Sequence, residues 1–191
     1  MERPKQPETI IYGGAFNPPT LAHIEILQAC VEFARPTESE VWVMPSGARL
    51  DKAIDASRAS RLRYVRAMIA DVACGDVTVD VNTSELDRTR PTETYDTVRL
   101  LEDEYPWRVF RFVFGADSTQ TMASWRGGSE LLERLLMLVV DRPGSSINPM
   151  AKRALQLSVV TPDVSSTEVR RRQASGLPVD HLVSPRVQRL L

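Results

Sequence analysis

Short apolar runs alternate with amphipathic stretches along the whole chain, and this alternation is the strongest constraint on its fold. The runs are rich in β-branched and aromatic residues, and most are followed at once by Gly, Pro or Asp. The stretches between them carry apolar residues at helical spacing. The pattern predicts strands over 9–12, 40–44, 77–81, 109–114, 135–140 and 157–160, and helices over 21–34, 58–72, 94–104, 128–134, 166–174 and 184–191.

Strands that alternate with helices form a parallel sheet that is covered by helices on both faces. No repeat, low-complexity segment or linker interrupts the pattern in the 191 residues. We therefore expect one α/β domain over 1–191, a Rossmann-like fold with a mainly parallel sheet. Within it, 1–8 is predicted as a flexible N-terminal extension and 166–191 as a C-terminal helical part.

The composition excludes several classes of protein. With 24 Lys+Arg against 25 Asp+Glu the net charge is -1, whereas binders of nucleic acid or anionic membranes usually carry a basic field. Cys30 and Cys74 are far apart and belong to no CxxC or Cys/His cluster, so neither a disulfide scaffold nor a protein-held metal is expected. Nothing resembles a signal peptide or a bilayer span, which predicts a cytoplasmic protein.

Ligands of such sheets bind outside the carboxyl ends of the strands. The polar segments that follow the predicted strands are therefore where chemistry is expected. These segments are 13–23, 45–52, 85–96, 115–125, 141–144 and 165–170.

Segment 13–23 reads GGAFNPPTLAH and joins the first predicted strand to the first helix. Paired glycines let backbone N–H groups approach an anion, and the helix N-terminus adds partial positive charge. Thr20 is predicted as the helix cap, and His23 lies one turn inside the helix, within reach of a phosphate. The alternative is a plain tight turn with a core histidine.

Segment 165–170 reads SSTEVR and is followed by two more arginines. Ser165, Ser166 and Thr167 can direct hydroxyl and N–H groups at an anion, with Arg170 one helical turn further on. The alternative is a capped surface helix with solvated arginines.

Both segments resemble signatures of the nucleotidylyltransferase superfamily. Segment 13–23 is similar to GxFxPxHxGH, with Thr20 at the first histidine, Ala22 at the glycine and His23 at the second histidine. Segment 165–170 is similar to the ISSTxxR motif, which binds ATP phosphates opposite the HxGH helix. Two residues depart from the pattern: Ala22 adds a Cβ near the phosphates, and Asn17 stands where Asp is commoner.

Three further blocks resemble one branch of that superfamily, the nicotinate mononucleotide adenylyltransferases. They are 85–97, 114–144 and 176–187, which are similar to ELxRxGPSYTIDT, GADxxxxxxxW…LL…RPG and GxxxxYLVPxxV. Arg90 and Glu93 replace the Gly and Tyr of the first block, and only Lys52 remains of a Pro-His-Lys in the second polar segment. The resemblance covers nearly the whole chain from Ile10 onward.

The resemblance implies a nucleotidylyltransferase-type fold that transfers AMP from ATP to nicotinate mononucleotide, giving deamido-NAD and pyrophosphate. The mononucleotide phosphate would attack the α-phosphorus directly, so the site needs positioning and charge stabilisation rather than a nucleophile. Mg²⁺ would bridge phosphate oxygens. Catalytic roles are implied for Thr20, His23, Lys52 and Arg170. ATP-binding roles are implied for Gly13, Gly14, Ala15, Phe16, Asn17, Thr20, His23, Gly115, Asp117, Arg142, Ser165, Ser166, Thr167 and Arg170.

The same resemblance implies a mononucleotide pocket formed by Thr94, Asp117, Trp125 and Arg126. Trp125 would stack on the pyridine ring, with a core aromatic as its alternative. Asp117 would accept hydrogen bonds from ribose hydroxyls, with a cap of the next helix as its alternative. For Lys52 and Arg126 the alternative is a solvated surface cation.

Two other functions stay open at this point. One is a related adenylyltransferase that acts on nicotinamide mononucleotide or phosphopantetheine. The other is a nucleotide-binding regulator with little turnover, which the departures at Asn17 and Ala22 allow. The sequence leaves the oligomeric state and the metal preference open, and a homo-oligomer is compatible with it.

Overall fold

Six parallel strands form one sheet in the computed structural model, which describes residues 6–48, 54–141 and 144–191. Every pair of neighbouring strands is parallel, as the alternation of strands and helices requires. The strands are β1 (Glu8–Gly14), β2 (Glu40–Pro45), β3 (Val79–Val81), β4 (Val109–Gly115), β5 (Leu136–Val140) and β6 (Ala154–Leu157), in the order β3-β2-β1-β4-β5-β6.

The helices agree closely with the sequence pattern. They are α1 (Leu21–Thr37), α2 (Arg58–Ile69), α3 (Thr94–Glu104), α4 (Ala116–Thr121), α5 (Gly128–Arg134), α6 (Ser166–Ala174) and α7 (Pro185–Gln188), with a 3₁₀ turn at Met122–Ser124. The bounds predicted for α3, α5 and α6 are confirmed to the residue. Four elements, α2, β3, β5 and α7, are shorter than predicted.

Two predicted stretches are wrong. The strand expected over 157–160 is instead β6, which pairs with β5 up to Leu157 opposite Val140. Beyond that pair the chain leaves the sheet, and Val160 is 92% exposed. The polar segment after β4 contains a helix that was not predicted, α4, whose residues ADSTQT carry no apolar periodicity that would reveal it.

The two faces of the sheet carry separate apolar layers, because successive side chains of a strand point to opposite faces. Ile10 lies in one layer and its neighbour Ile11 in the other. The first layer packs α1 and α2 on the sheet, and the second packs α3 and α5. A third, small cluster joins α6 and α7 through Val169, Leu182, Val183 and Val187.

The strand order opens a crevice between β1 and β4. The chain builds β2 and β3 on one side of β1, then returns to place β4 on the other side. After β1 the chain enters α1 on one face, and after β4 it enters α4 and the 3₁₀ turn on the opposite face. Since Ile11 pairs with Phe112, the ends of the two strands lie at the same level of the sheet. This is the switch point at which ligands of open α/β sheets bind.

The core assignment can be tested with two leucines from neighbouring strands. Leu138 on β5 has no exposed surface, so Leu138→Ala is expected to lower the free energy of unfolding by about 2–5 kcal/mol. Leu155 on β6 is 47% exposed, and Leu155→Ala is expected to change it by less than about 0.5 kcal/mol. Urea unfolding followed by circular dichroism measures both. Equal losses would contradict the packing described above.

Candidate active site

The loop that connects β1 to α1 is held from one side by α6. Arg170 Nη1 donates a hydrogen bond to the carbonyl of Asn17 at 2.7 Å, and Ser166 Oγ donates to the carbonyl of Pro18 at 2.8 Å. The structure thus brings together the two segments, 13–23 and 165–170, that lie far apart in the chain. Sequence reasoning predicted both segments but not these contacts.

The same loop is held from the other side by α2 and the end of β2. The backbone N–H of Ser46 donates to the carbonyl of Gly14 at 2.8 Å, and Arg61 Nη1 donates to the carbonyl of Ala15 at 3.3 Å. Four carbonyl groups between residues 14 and 18 therefore have donors. A carbonyl that points at a phosphate repels it, so engaging these oxygens elsewhere favours anion binding at the loop.

His23 is oriented by Thr20, the residue immediately before α1. The backbone N–H of Thr20 donates to His23 Nδ1 at 3.0 Å, and the Thr20 hydroxyl lies 2.8 Å from the same nitrogen. Because Nδ1 accepts the backbone hydrogen bond, the neutral imidazole carries its hydrogen on Nε2. The half-buried ring is thereby fixed with Nε2 as a donor at the N-terminal end of α1.

Close packing around Phe16 explains why residue 14 is a glycine. The Phe16 ring is buried and meets the rings of Tyr12 and His23 edge to face, with centroids 5.5 Å away in both cases. A Cβ on Gly14 would come within 2.9 Å of this ring, so the loop requires glycine there. Phe16 itself has φ 45°, a left-handed conformation that is uncommon for residues other than glycine.

Three residues with predicted ATP-binding roles have buried side chains. Thr20, Phe16 and Asn17 are 0%, 1% and 4% exposed, so only their backbone can meet a ligand in this arrangement. Asn17 Oδ1 accepts a hydrogen bond from the backbone N–H of Ala56 at 3.3 Å, while its Nδ2 has no partner within the described residues. The remaining predicted residues of the loop, Gly13, Gly14 and Ala15, are at least partly exposed.

The arginines of α6 have different environments. Arg171 and Arg172 bind the carboxylate of Glu168, and these hydrogen bonds, with that from Arg171 the larger cause, lower the pKa of Glu168 to about 2. Arg170 turns instead towards the loop after β1 and lies 3.6 Å from Asp55. The surface-helix alternative therefore describes Arg171 and Arg172 but not Arg170.

The start of α6 presents three hydroxyl groups. Ser165 is the N-cap and accepts a hydrogen bond from the backbone N–H of Glu168 at 3.2 Å. Ser166 is engaged with the loop, and the exposed Thr167 accepts from Arg170 Nη2 at 3.2 Å. Each hydroxyl thus has a partner that fixes its direction.

Arg61 is a buried cation that sequence reasoning missed. Burial lowers its pKa, and the negative charge of Glu85 acts in the opposite direction. Glu85 itself accepts a hydrogen bond from Thr97 Oγ1 at 2.6 Å. The available signal was its spacing, because Arg61, Val65 and Met68 follow the helical repeat and form the buried face of α2.

Two of the predicted acceptor residues, Thr94 and Arg126, lie where α3 begins. Arg126 forms an ion pair with Asp96, lies 4.0 Å from Glu93 and stands over the Tyr95 ring at 5.5 Å. Thr94 is the first residue of α3, within this group. The charge of Arg126 is therefore offset by two neighbouring carboxylates. The side chain is exposed, as the solvated-cation alternative predicts, but it has fixed partners.

Asp117 and Trp125, two residues predicted for the mononucleotide pocket, follow β4 in the chain. Gly115 is the N-cap of α4 and Asp117 lies exposed in its first turn, so the capping alternative for Asp117 is wrong. Trp125 is half-buried, and its ring meets that of Phe114 edge to face at 6.2 Å. Part of the indole therefore belongs to the core and part remains exposed.

Two predicted cations, Lys52 and Arg142, lie outside the described residues. In the three described ranges no group of three or more His, Cys, Asp or Glu side chains is arranged to hold a metal ion. No helix in that part of the chain is long and apolar enough to cross a membrane.

Comparison with known proteins identifies relatives over nearly the whole chain. Residues 11–172 match the family described as Cytidylyltransferase-like. The chain is 32% identical over 185 residues to a probable nicotinate-nucleotide adenylyltransferase of Exiguobacterium sibiricum, covering 95% of this chain and 94% of that protein. A protein of the same name from Halalkalibacterium halodurans is 31% identical, over 95% of this chain and 86% of its own length.

Solved structures share the fold. A Plasmodium falciparum nicotinic acid mononucleotide adenylyltransferase complexed with NaAD superposes with a TM-score of 0.81 at 20% identity, over 96% of this chain and 94% of that chain. For a putative nicotinate-nucleotide adenylyltransferase from Vibrio parahaemolyticus the TM-score is 0.70 at 22% identity, covering 96% and 97%. The predicted Rossmann-like fold is confirmed.

Ala22 departs from the signature, and its effect on the site can be measured. Its Cβ is covered by protein, since Ala22 is only 5% exposed, and little of it remains to crowd a phosphate. Ala22→Gly is therefore expected to leave kcat/KM for ATP unchanged and to lower the free energy of unfolding by roughly 0.5–1 kcal/mol. Steady-state kinetics and urea unfolding test the two effects separately. A rise in activity would show that the Cβ does obstruct the ligand.

Proposed function

The chain belongs to the nicotinate-nucleotide adenylyltransferase family, and from that premise we propose that it transfers AMP from ATP to nicotinate mononucleotide in the crevice between β1 and β4. The products are deamido-NAD and pyrophosphate. One observation carries the placement of the site: the loop after β1 has its carbonyls engaged by Arg61, Ser46, Arg170 and Ser166, at the point where α1 begins. Such a loop accepts the phosphates of ATP.

The reaction needs no protein nucleophile. An oxygen of the mononucleotide phosphate forms a bond to the α-phosphorus, and the bond from that phosphorus to the β,γ-pyrophosphate breaks. The electron pair leaves with pyrophosphate, so the protein must stabilise growing negative charge on the leaving group. His23 Nε2, the N-terminus of α1 and Arg170 supply positive or partly positive groups on one side of the loop.

Thr20 acts in this proposal through His23 rather than on the phosphates. Its backbone N–H and its hydroxyl fix the imidazole of His23. The Thr20 side chain is fully buried, so it can hold the imidazole without contacting substrate. Ser165, Ser166 and Thr167 order the start of α6, and Lys52 and Arg142 would add positive charge. We place the protein in the cytoplasm, where its substrate ATP is abundant.

Mg²⁺ fits this site as an ion carried by the substrate. Mg²⁺ is usually held by substrate phosphates, water and one or two carboxylates rather than by a protein cage. Asp55, an exposed carboxylate beside Arg170, is one group that could complete its coordination. When bound, Mg²⁺ would reduce the repulsion between the two anionic substrates.

The acceptor lies, in this proposal, between the start of α3 and the segment after the 3₁₀ turn. The exposed part of Trp125 would stack on the pyridine ring, and backbone N–H groups near Thr94 would meet its carboxylate. Asp117 would accept hydrogen bonds from ribose hydroxyls. Arg126 would contribute positive charge that Asp96 and Glu93 partly offset.

A pyrophosphate-release assay tests the function. ATP is supplied with nicotinate mononucleotide, nicotinamide mononucleotide or phosphopantetheine as acceptor. Release mainly with the first supports the proposal, and release mainly with another acceptor would reassign the substrate. ATP binding without release for any acceptor would indicate a regulator.

Replacing His23 should affect turnover more than binding. His23→Ala removes a donor whose contact strengthens as charge develops on pyrophosphate, so kcat is expected to fall about 10²–10³-fold while the Kd for ATP changes little. Stopped assays and titration calorimetry measure the two quantities. The control is His181→Ala, because His181 is an exposed histidine outside the site. A near-normal kcat in folded His23→Ala protein would contradict the assignment.

The acceptor carboxylate should determine specificity. Backbone N–H groups can donate to a carboxylate, whereas an amide must also place an NH₂ group that needs an acceptor. The wild type is therefore expected to have a higher kcat/KM for nicotinate than for nicotinamide mononucleotide, and Arg126→Ala is expected to narrow the difference. Arg134→Ala, which removes another exposed, ion-paired arginine, serves as the control. Equal use of both acceptors would refute the specificity while leaving adenylyl transfer intact.

A further inference from the structure

Arg61 joins two loops of the crevice with one nitrogen. Its Nη1 donates to the carbonyl of Ser46 at 2.5 Å and to the carbonyl of Ala15 at 3.3 Å. Ser46 and Ala15 belong to the loops that follow β2 and β1, and the backbone N–H of Ser46 also donates to Gly14. These bonds fix the position of one loop relative to the other.

The contacts extend from Arg61 to the segment before α3. Glu85, whose charge acts on Arg61, accepts hydrogen bonds from the backbone N–H of Gly47 at 3.4 Å and from Thr97 Oγ1 at 2.6 Å. Gly47 packs so closely on the Glu85 carbonyl that a Cβ would not fit there. The loops on the ATP side are thereby connected to α3, which begins at the proposed acceptor side.

Burying Arg61 in the core is energetically unfavourable. Arg61 is only 6% exposed, and its Nε is buried without a partner among the described residues. Burying a guanidinium with incomplete partners is unfavourable, and a Met side chain would occupy the same face of α2 without that cost. Packing alone therefore does not explain an arginine at this position.

We infer that Arg61 is a positioning residue for adenylyl transfer, which acts through the carbonyls of Ala15 and Ser46 to hold the loop after β1 in register with the acceptor side. The inference rests on the proposed function for its kinetic consequence. In-line attack requires the two phosphates to be aligned, and a displacement of about 1 Å by a remote substitution can lower the rate about 10²-fold. Arg61 thus contributes to alignment without touching substrate.

Two substitutions and a matched control test this role. Arg61→Met removes both hydrogen bonds at similar volume, and Arg61→Lys keeps the charge and one donor group. Arg66→Met is the control, since Arg66 lies on the exposed side of the same helix. Each variant is checked for folding by circular dichroism, then compared for kcat, Kd for ATP and hydrogen exchange of residues 13–23 and 45–48.

We expect kcat to fall about 10- to 100-fold in Arg61→Met and less in Arg61→Lys, with a smaller change in the Kd for ATP. Hydrogen exchange of the two loops should rise in the Arg61 variants, while that of β5 stays at the wild-type rate. In the control variant all of these rates should stay at wild-type values. Unchanged kcat in folded Arg61→Met protein, or exchange that rises equally throughout the sheet, would overturn the inference.

The two proposals fail in different ways. Absence of pyrophosphate release by the wild type contradicts the proposed function, whatever the variants do. In that case hydrogen exchange still decides whether Arg61 orders the loops, because this measurement needs no turnover. If Arg61→Met does not fold, Arg61→Lys is compared with the wild type instead. Unchanged kcat and unchanged hydrogen exchange of the two loops in that variant would overturn the inference.

Discussion

The parallel pairing of β1 with β4 is the constraint on which the rest of the structure depends. It places two strand ends side by side whose continuing chains leave for opposite faces of the sheet. The backbone cannot close over the space between them, because neither connection crosses it. Both apolar layers contain residues of the two strands, since Ile11 and Phe112 are buried in one cluster and Ile10 and Val113 in the other. The crevice is thus a consequence of burying the core and exists before any ligand binds.

Electrostatics then make the crevice suitable for an anion in a protein with a net charge of -1. Positive charge is concentrated locally: Arg61 lies below the loop after β1, and Arg170 lies beside it. Both bind carbonyl oxygens of the loop, so these oxygens repel a phosphate less, while Glu85 and Asp55 offset part of the positive charge of Arg61 and Arg170. Desolvated groups at fixed positions act more strongly on a phosphate than mobile surface lysines do. An overall acidic or neutral balance is therefore compatible with an ATP site.

The sequence allows most of the fold to be predicted, and for a physical reason. Period 2 and period 3.6 patterns report burial directly. The bounds of α3, α5 and α6 follow from them because each helix begins at a polar or glycine residue, and because α3 and α6 end before a turn and α5 ends one residue before β5. Patterns failed where burial is weak, as at β6 on the edge of the sheet and in the polar α4. Family motifs predicted the segments of the candidate site, while the buried environments of Thr20 and Arg61 follow from tertiary contacts that no local pattern contains.

The site also depends on a cluster that contains none of its residues. The helix that carries Arg170, α6, is held by the small apolar cluster of Val169, Leu182 and Val187. That cluster is attached at two further points, where the backbone N–H of Leu21 donates to Leu182 at 2.9 Å and Arg186 pairs with Asp71 at 2.8 Å. The first of these bonds satisfies a free N–H at the start of α1, the helix that carries His23. One short C-terminal segment therefore fixes both the histidine helix and the arginine that faces it.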